Sequence, residues 1–205
     1  MKKGLIVFAR EPLPGKVKTR LAASLGDRDA AELYETMLQD VLKGVRRLND
    51  VDTVVYWACE EESLPWLAEK YRCRSRRQSP GNLGQRMEGA FGEMFADGCE
   101  LCCIIGSDAP DLPLPYLQEA FRLLASPQSD AVIGPCRDGG YYLLGMRRVW
   151  PELFRDIPWG SSTVLDRSLA AAEGSGVSVS LLPAWQDIDT LEDLQAYRER
   201  TGETI

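Results

Sequence analysis

Three aspartate-containing turns and one basic loop carry the residue types that could do chemistry in this chain. The first turn contains Asp108, which follows the uncharged apolar run of residues 101–105 and precedes Pro110. A short apolar run of this kind is typical of a strand buried on both faces, and Pro110 prevents the strand from continuing. Asp108 therefore stands at the carboxyl end of a predicted central strand, where α/β sheets bind ligands. It could hold a divalent cation against nucleotide phosphates, cap the next helix, or close an Asx turn.

The basic loop spans residues 10–20 and follows the first predicted strand. It contains a single glycine, Gly15, and matches neither the G-x-G-x-x-G nor the Walker phosphate-binding pattern. Its four cationic side chains are Arg10, Lys16, Lys18 and Arg20. Such a group can neutralise a di- or triphosphate, and Gly15 lets the backbone approach the ligand closely. The alternative is a solvated basic loop, but the position of the charge after the first strand favours phosphate.

Two further turns offer carboxylates. Asp138 precedes Gly139 and Gly140 and then two aromatic residues, Tyr141 and Tyr142. This stretch is either a tight turn or a substrate pocket, because a second glycine admits a ligand and tyrosines offer a stacking face or a hydroxyl.

The last turn contains Asp187 and Asp189, close behind the last predicted strand. Asp189 or Thr190 could simply cap the terminal helix. Alternatively, two strand ends that each offer a carboxylate can share one hard cation, since Mg²⁺ typically takes one or two protein carboxylates and completes its shell with water and phosphate oxygens. Asp108 and Asp189, with lysine and arginine opposite, then describe a nucleotide diphosphate site.

Composition excludes several classes of function. The chain has no histidine, so Ser-His-Asp and Cys-His hydrolases and H-E-x-x-H metalloproteases are ruled out in their usual forms. A formal net charge of −7 argues against a general nucleic-acid binder. No apolar run approaches the roughly 20 residues needed to span a bilayer, and we expect a cytoplasmic protein. Of the six cysteines, Cys102 and Cys103 lie in the apolar run, which favours core packing over a metal or redox role.

Strands and helices alternate along almost the whole chain. Predicted strands cover residues 3–9, 51–59, 72–78, 101–105, 131–134, 141–146 and 177–182. Predicted helices cover residues 29–48, 60–71, 115–125, 161–172 and 191–200, with another that ends near residue 96. The alternation predicts an α/β fold with a mixed, mostly parallel sheet, in which residues 141–146 run antiparallel. No linker divides the chain, so residues 1–205 are predicted to form a single domain. Alternate arginines at residues 72–76 predict either a phosphate contact or, more commonly, a solvated edge strand.

Five motifs in order resemble a bacterial family of glycosyltransferase-like proteins. The motifs are Phe8-Ala9-Arg10-x-Pro12-x-Pro14-Gly15-x-Val17-Lys18-Thr19-Arg20-Leu21, Leu83-Gly84-Gln85-Arg86-Met87, Gly106-Ser107-Asp108-x-Pro110, Gly134-Pro135-x-x-Asp138-Gly139-Gly140-Tyr141-Tyr142-Leu143 and Asp187-x-Asp189-Thr190-x-Glu192-Asp193-Leu194. The family is associated with radical-SAM and selenodomain genes and with arsenosugar biosynthesis. It belongs to the nucleotide-diphospho-sugar transferase superfamily, which has the Rossmann-like, three-layer GT-A fold. The chain also resembles, more distantly, nucleotidyltransferases such as phospholactate and molybdenum cofactor guanylyltransferases.

The resemblance implies a role for each motif. The nucleotide site would comprise Arg10, Gly15, Lys16, Lys18, Arg20, Gly84 and Arg86, with residues 83–86 near the base and ribose. Asp108 and Asp189 would bind Mg²⁺ or Mn²⁺. The sugar or acceptor pocket would be shaped by Asp138, Gly139, Gly140, Tyr141 and Tyr142. Asp108, Lys18 and Asp138 would be the catalytic residues.

These observations predict a metal-dependent transferase that uses a nucleotide-activated donor and a small-molecule acceptor. The first hypothesis is glycosyl transfer from a nucleotide-diphospho-sugar. The alternative is a guanylyl- or cytidylyltransferase-like reaction that joins a nucleoside triphosphate to a phosphorylated small molecule. The relatives that make nucleotide sugars usually open with a glycine-rich loop, which this chain lacks. A third hypothesis is a nucleotide-binding protein without catalytic activity.

Overall fold

One seven-stranded sheet organises residues 1–202, which are the residues that the computed structural model describes. The strands are β1 (Lys3–Arg10), β2 (Val51–Ala58), β3 (Arg74–Arg77), β4 (Leu101–Ile105), β5 (Ala131–Pro135), β6 (Tyr141–Met146) and β7 (Val179–Leu181). The helices are α1 (Thr19–Leu25), α2 (Asp27–Val45), α3 (Leu64–Tyr71), α4 (Leu83–Ala96), α5 (Leu114–Ala125), α6 (Val164–Gly174) and α7 (Leu191–Thr201). Short 3-10 turns cover Glu61–Ser63 and Pro151–Leu153. Residues 203–205, the end of the predicted domain, lie outside the described residues.

The strand order is β3-β2-β1-β4-β6-β5-β7. Every pairing is parallel except those that β6 makes with β4 and β5. The predicted α/β fold with a mostly parallel sheet and one antiparallel strand is therefore confirmed. The chain leaves β1 toward one side of the sheet through β2 and β3, and it resumes on the other side with β4. The gap between the ends of β1 and β4 is thus a topological switch point, where open α/β sheets form a ligand crevice.

Helices cover both faces of the sheet, because the central strands are apolar on both sides. On one face, α2, α3 and α5 pack against alternate strand residues such as Val7 and Ile105. On the other, α4 and α6 pack against Ile6 and Ile104. Cys102 and Cys103 are fully buried in β4 and are core side chains, as predicted. None of the helices in residues 1–202 combines the length and apolarity needed to cross a bilayer.

The structure corrects the end of the predicted basic loop. The loop of residues 10–20 ends early, since α1 begins at Thr19. This helix has no start signal in the sequence, because it follows Lys18 in a left-handed conformation and has no side-chain cap. A helix of seven residues without a cap has little local stability of its own, and its formation depends on tertiary packing. Leu21 supplies that packing by contacting α2 and α7 residues in a third apolar cluster.

The arginines of β3 pair with acidic neighbours. Arg74 donates to Asp52 and Asp97, each at 2.6 Å, and Arg76 lies 2.9 Å from Asp97. Because β3 is an edge strand, these pairs belong to a solvated sheet edge. Of the two interpretations of residues 72–76, the contacts favour the edge strand over a phosphate contact.

Candidate functional site

A cleft of about 740 Å³ opens at the carboxyl edge of the sheet, at the switch point between β1 and β4. The segments after β1, β4 and β5 reach it, because these strands are parallel to one another. Of the predicted site residues, those that line the cleft are Arg10, Lys16, Lys18, Arg20, Arg86, Asp108, Asp138, Gly140, Tyr141, Tyr142 and Asp189.

Backbone hydrogen bonds bring the last acidic turn beside the first. The N–H of Ile188 donates to the carbonyl oxygen of Asp108 at 2.9 Å. The N–H of Trp185 donates to the carbonyl oxygen of Pro135 at 3.0 Å. Residues 185–189 therefore run beside the ends of both β4 and β5. This arrangement explains how Asp108 and Asp189, distant in the chain, come to face one cleft.

Lys18 lies between the two carboxylates. Its Nζ is 2.9 Å from Oδ1 of Asp108 and 2.7 Å from Oδ1 of Asp189. The Lys18 side chain is 5% exposed, whereas those of Asp108 and Asp189 are 38% and 40% exposed. Burial by itself would lower the pKa of Lys18, but the charges of Asp108 and Asp189 outweigh it and raise that pKa above its ordinary value. Lys18 is therefore a charged ammonium that joins two carboxylates open to the cleft.

Local structure leaves both carboxylates available. Thr190 caps α7, with its Oγ1 accepting from the N–H of Asp193 at 3.2 Å, while Asp193 accepts from the N–H of Thr190 at 2.8 Å. This capping box satisfies the helix start without the side chain of Asp189. Pro113 begins α5 without any side-chain cap, so the alternative that Asp108 caps this helix is wrong.

Tyr34 of α2 connects the ends of β1 and β4 from inside the fold. Its hydroxyl accepts from the N–H of Arg10 at 2.8 Å and lies 2.8 Å from Oγ of Ser107. Burial, followed by the charge of Asp108, raises the pKa of Tyr34 to about 12. In the sequence Tyr34 looks like one more apolar position of an amphipathic helix, so no signal there pointed to this contact.

Negative charge accumulates around Lys18. Asp187 also lines the cleft, and its pKa is raised to about 6 by burial and by the charges of Asp189, Asp138 and Asp108. Repulsion between neighbouring carboxylates raises the energy of the ionised cluster. A cation that enters this part of the cleft would reduce that repulsion.

The carboxylates fit a divalent cation in their chemistry and position. Asp108 and Asp189 already share one cation, the ammonium of Lys18, so both carboxylates face the same point in the cleft. Carboxylate oxygens suit hard ions such as Mg²⁺ or Mn²⁺. Within residues 1–202, no group of three or more His, Cys, Asp or Glu side chains is arranged to hold a metal ion. Water or substrate oxygens would have to supply the other ligands.

Three of the predicted site glycines, Gly15, Gly84 and Gly139, do not line the cleft. A Cβ on Gly84 would lie 2.5 Å from the carbonyl oxygen of Phe154, and one on Gly139 would lie 1.9 Å from that of Ser162. Gly15 has φ +72° and faces the carboxylate of Asp27. Gly84 and Gly139 therefore allow close packing around the site, whereas Gly15 is needed only for its positive φ.

Residues 159–162 contribute a wall that the sequence did not reveal. Trp159 lines the cleft and packs edge-on against Tyr141, with ring centroids 6.2 Å apart. Tyr142 is buried and donates its hydroxyl to the carbonyl oxygen of Pro183 at 3.0 Å. Of the two predicted tyrosines, Tyr141 thus belongs to an aromatic wall, while the hydroxyl of Tyr142 is engaged within the protein.

Comparison with known proteins gives a family. The family described as "Uncharacterized protein conserved in bacteria (DUF2064)" matches residues 41–161. The chain belongs to this family. A crystal structure from Desulfovibrio desulfuricans G20, provisionally described as a nucleotide-diphospho-sugar transferase, resembles this DUF2064 protein with a TM-score of 0.91 and 34% identity. The match covers 99% of this chain and 89% of that chain. No curated protein matches the sequence.

More distant structures share the fold of this DUF2064 protein. CMP:2-keto-3-deoxy-manno-octonic acid synthetase in complex with CTP has a TM-score of 0.65 and 10% identity, with coverage of 98% of this chain and 99% of that chain. The 4-diphosphocytidyl-2C-methyl-D-erythritol synthase of Anaerococcus prevotii DSM 20548 has a TM-score of 0.62 and 14% identity, with coverage of 98% and 96%. At these identities the likeness shows the fold alone. The nucleotide-diphospho-sugar transferase superfamily that the resemblance implied is supported by the DUF2064 match and by the Desulfovibrio desulfuricans structure at 34% identity.

Proposed function

We propose that this DUF2064 protein is a metal-dependent transferase that uses a nucleotide-activated donor, and that it transfers a glycosyl group from a nucleotide-diphospho-sugar to a small-molecule acceptor. The observation that carries the proposal is the shared contact of Lys18 with Asp108 and Asp189, at 2.9 and 2.7 Å. It joins a cation from the basic loop to two carboxylates at a switch-point cleft. Neighbouring structures described as nucleotide-diphospho-sugar and nucleotidyl transferases support the same class.

Each residue has a distinct task in this mechanism. Asp108 and Asp189 would hold Mg²⁺ or Mn²⁺, which supplies Lewis-acid stabilisation of the diphosphate oxygens. Lys18 and Arg20 would bind the leaving nucleoside diphosphate and offset its growing negative charge. Asp138 lines the cleft and would orient the acceptor hydroxyl and accept its proton. The bond between the sugar carbon and the diphosphate oxygen breaks, and a bond from that carbon to the acceptor oxygen forms.

Nucleotidyl transfer is the second candidate, because several structures that share the fold carry this description. One of them is in complex with CTP. In this reaction a phosphorylated acceptor would attack the α-phosphorus of a nucleoside triphosphate, and pyrophosphate would leave. Lys18 and Arg20 would then stabilise the pyrophosphate. The two reactions differ in product, since glycosyl transfer releases a nucleoside diphosphate. The association with arsenosugar biosynthesis stays a prediction, as does a third possibility, nucleotide binding without turnover.

The test is Asp108→Asn, which keeps the size of the side chain and removes an anionic ligand. We expect that Mn²⁺-dependent thermal stabilisation by nucleotides and nucleotide sugars is lost in this variant, since a ligand that binds only the native state raises apparent stability. Asp40→Asn, on α2 and away from the cleft, is the matched control. Unchanged metal-dependent binding in Asp108→Asn would refute the metal role. Product analysis for nucleoside diphosphate or pyrophosphate then separates the two reactions.

A further inference from the structure

Arg86 is held at the cleft by a buried amide. Its Nη1 donates to Oε1 of Gln78 at 2.9 Å. Gln78 is only 9% exposed, and its Nε2 donates to the carbonyl oxygens of Ala9 at 3.2 Å and Tyr56 at 2.9 Å. These two bonds fix the orientation of the amide, so that its oxygen faces Arg86. Through Gln78, the guanidinium of Arg86 is therefore linked to the carboxyl end of β1, at the residue before Arg10.

Neither Arg10 nor Arg86 has an acidic partner within residues 1–202. Neither guanidinium forms a salt bridge in that part of the chain, where the guanidinium of Arg10 contacts only the carbonyl oxygen of Lys16, at 3.4 Å. The buried Nε of Arg86 has no hydrogen-bond partner among the same residues. Burial, and then the positive charge of Arg10, lowers the pKa of Arg86. The positive charges of Arg10 and Arg86 repel each other, and one N–H of Arg86 lacks an acceptor within residues 1–202. A bound anion would reduce the repulsion and could accept hydrogen bonds from both guanidinium groups.

These arginines differ in their surroundings from Lys18. The ammonium of Lys18 is already shared between Asp108 and Asp189, in the acidic part of the cleft. Arg10 and Arg86 instead each donate to one neutral oxygen, of Lys16 and Gln78 respectively, and their other guanidinium N–H groups form no hydrogen bond within residues 1–202. A planar guanidinium also presents paired N–H groups that match the oxygens of a phosphate, which an ammonium does not.

We infer that Arg10 and Arg86 form a second anion subsite in the cleft, and that it binds a terminal phosphate separate from the pyrophosphate link at Lys18. The phosphate belongs either to the end of a triphosphate chain or to a phosphomonoester on the acceptor. The inference deepens the proposed function and rests on it for the position of the pyrophosphate link. It also moves Arg86 from the predicted base and ribose contact to a phosphate contact.

Calorimetric titration with inorganic tripolyphosphate, pyrophosphate and glycerol 3-phosphate tests the inference. The titrations contain EDTA, so they do not depend on whether Asp108 and Asp189 bind a metal. We expect Arg86→Gln to weaken binding of one terminal-phosphate probe by about tenfold or more, as for loss of a charge-assisted hydrogen bond. Arg10→Gln, whose side chain is exposed, should weaken the same probe without affecting folding. Arg47→Gln, exposed and outside the cleft, is the matched control.

The probes separate the two sources of phosphate. If the subsite binds the end of a triphosphate chain, Arg86→Gln should lower the affinity for tripolyphosphate more than the affinity for pyrophosphate. An acceptor subsite predicts that glycerol 3-phosphate binding is lost while tripolyphosphate binding is retained. The inference is overturned if the wild-type protein binds none of the probes, if both variants retain wild-type affinity, or if Arg47→Gln weakens binding equally. If the arginine variants weaken phosphate binding while Asp108→Asn leaves metal-dependent binding unchanged, the anion subsite is supported and the metal site is not.

Discussion

The Nζ of Lys18 lies 2.7 Å from Oδ1 of Asp189, although 171 residues separate them in the chain. The same ammonium contacts Asp108 at 2.9 Å, so it stands where a divalent cation would have to bind if it bridged these two oxygens. Two cations at that spacing would repel each other strongly. If Asp108 and Asp189 held a metal ion, Lys18 would therefore have to move away from them, and the phosphates of a bound donor would offer it a new partner.

The first prediction concerns Lys18→Met. Removal of the ammonium leaves two unpaired carboxylates, so the variant should bind Mn²⁺ about tenfold more tightly in the absence of nucleotide. Its nucleotide affinity should fall, because the phosphates lose a cation. Electron paramagnetic resonance of free Mn²⁺ measures the first effect and calorimetry the second. Lys43→Met, at an exposed residue of α2 outside the cleft, should leave Mn²⁺ affinity unchanged. Mn²⁺ affinity at or below the wild-type value in Lys18→Met would contradict the competition.

The second prediction concerns Tyr34→Phe. The change keeps the buried ring but removes the hydroxyl that accepts from Arg10 N–H and contacts Ser107. A buried donor left without a partner should lower the free energy of unfolding by about 1–2 kcal/mol in urea titration. The variant should also bind nucleotide more weakly, because the ends of β1 and β4 lose their shared contact. Tyr116→Phe is the matched control, because Tyr116 is half-buried in α5 and its hydroxyl forms no hydrogen bond within residues 1–202. This variant should change neither the free energy of unfolding nor nucleotide affinity by much. Equal stability losses in the two variants would count against a special role for Tyr34.

The third prediction compares two glycines that both have positive φ. Gly160 has φ +85°, and a methyl group added to its Cα would have nothing within 4 Å, so Gly160→Ala should cost only the backbone strain, about 1 kcal/mol. Gly139 has φ +90°, and a methyl group there would lie 1.9 Å from the carbonyl oxygen of Ser162. Gly139→Ala must therefore displace the wall of residues 159–162 and should cost clearly more. Urea unfolding gives the difference, and limited proteolysis reports exposure of the wall. If both variants lose a similar free energy of unfolding, the backbone at Ser162 can move aside at little cost and the prediction is wrong.

The fold and the edge at which the site lies could be predicted from sequence, because both depend on local patterns. The apolar run at residues 101–105 predicted a buried strand, and the strand has those bounds in the structure. The alternation of strands and helices predicted a parallel sheet, whose geometry brings the carboxyl ends of strands to one edge. The location of Asp108, Asp189 and Lys18 at this edge could be predicted from that rule, because each lies in the segment that follows a strand.

Pairings between distant side chains required the tertiary structure. Tyr34 and Gln78 carry no motif, and their positions resemble ordinary core and strand-end residues. Their roles arise because α2 packs beside β1 and β4, and because Gln78 finds two backbone carbonyls in a buried site. Likewise, the sequence shows which residues of the basic loop are charged, but not which of them pair with carboxylates. Which cations meet carboxylates and which stay free for a ligand depends on three-dimensional distance, because electrostatic energy varies with the separation and burial of charges and not with their spacing along the chain.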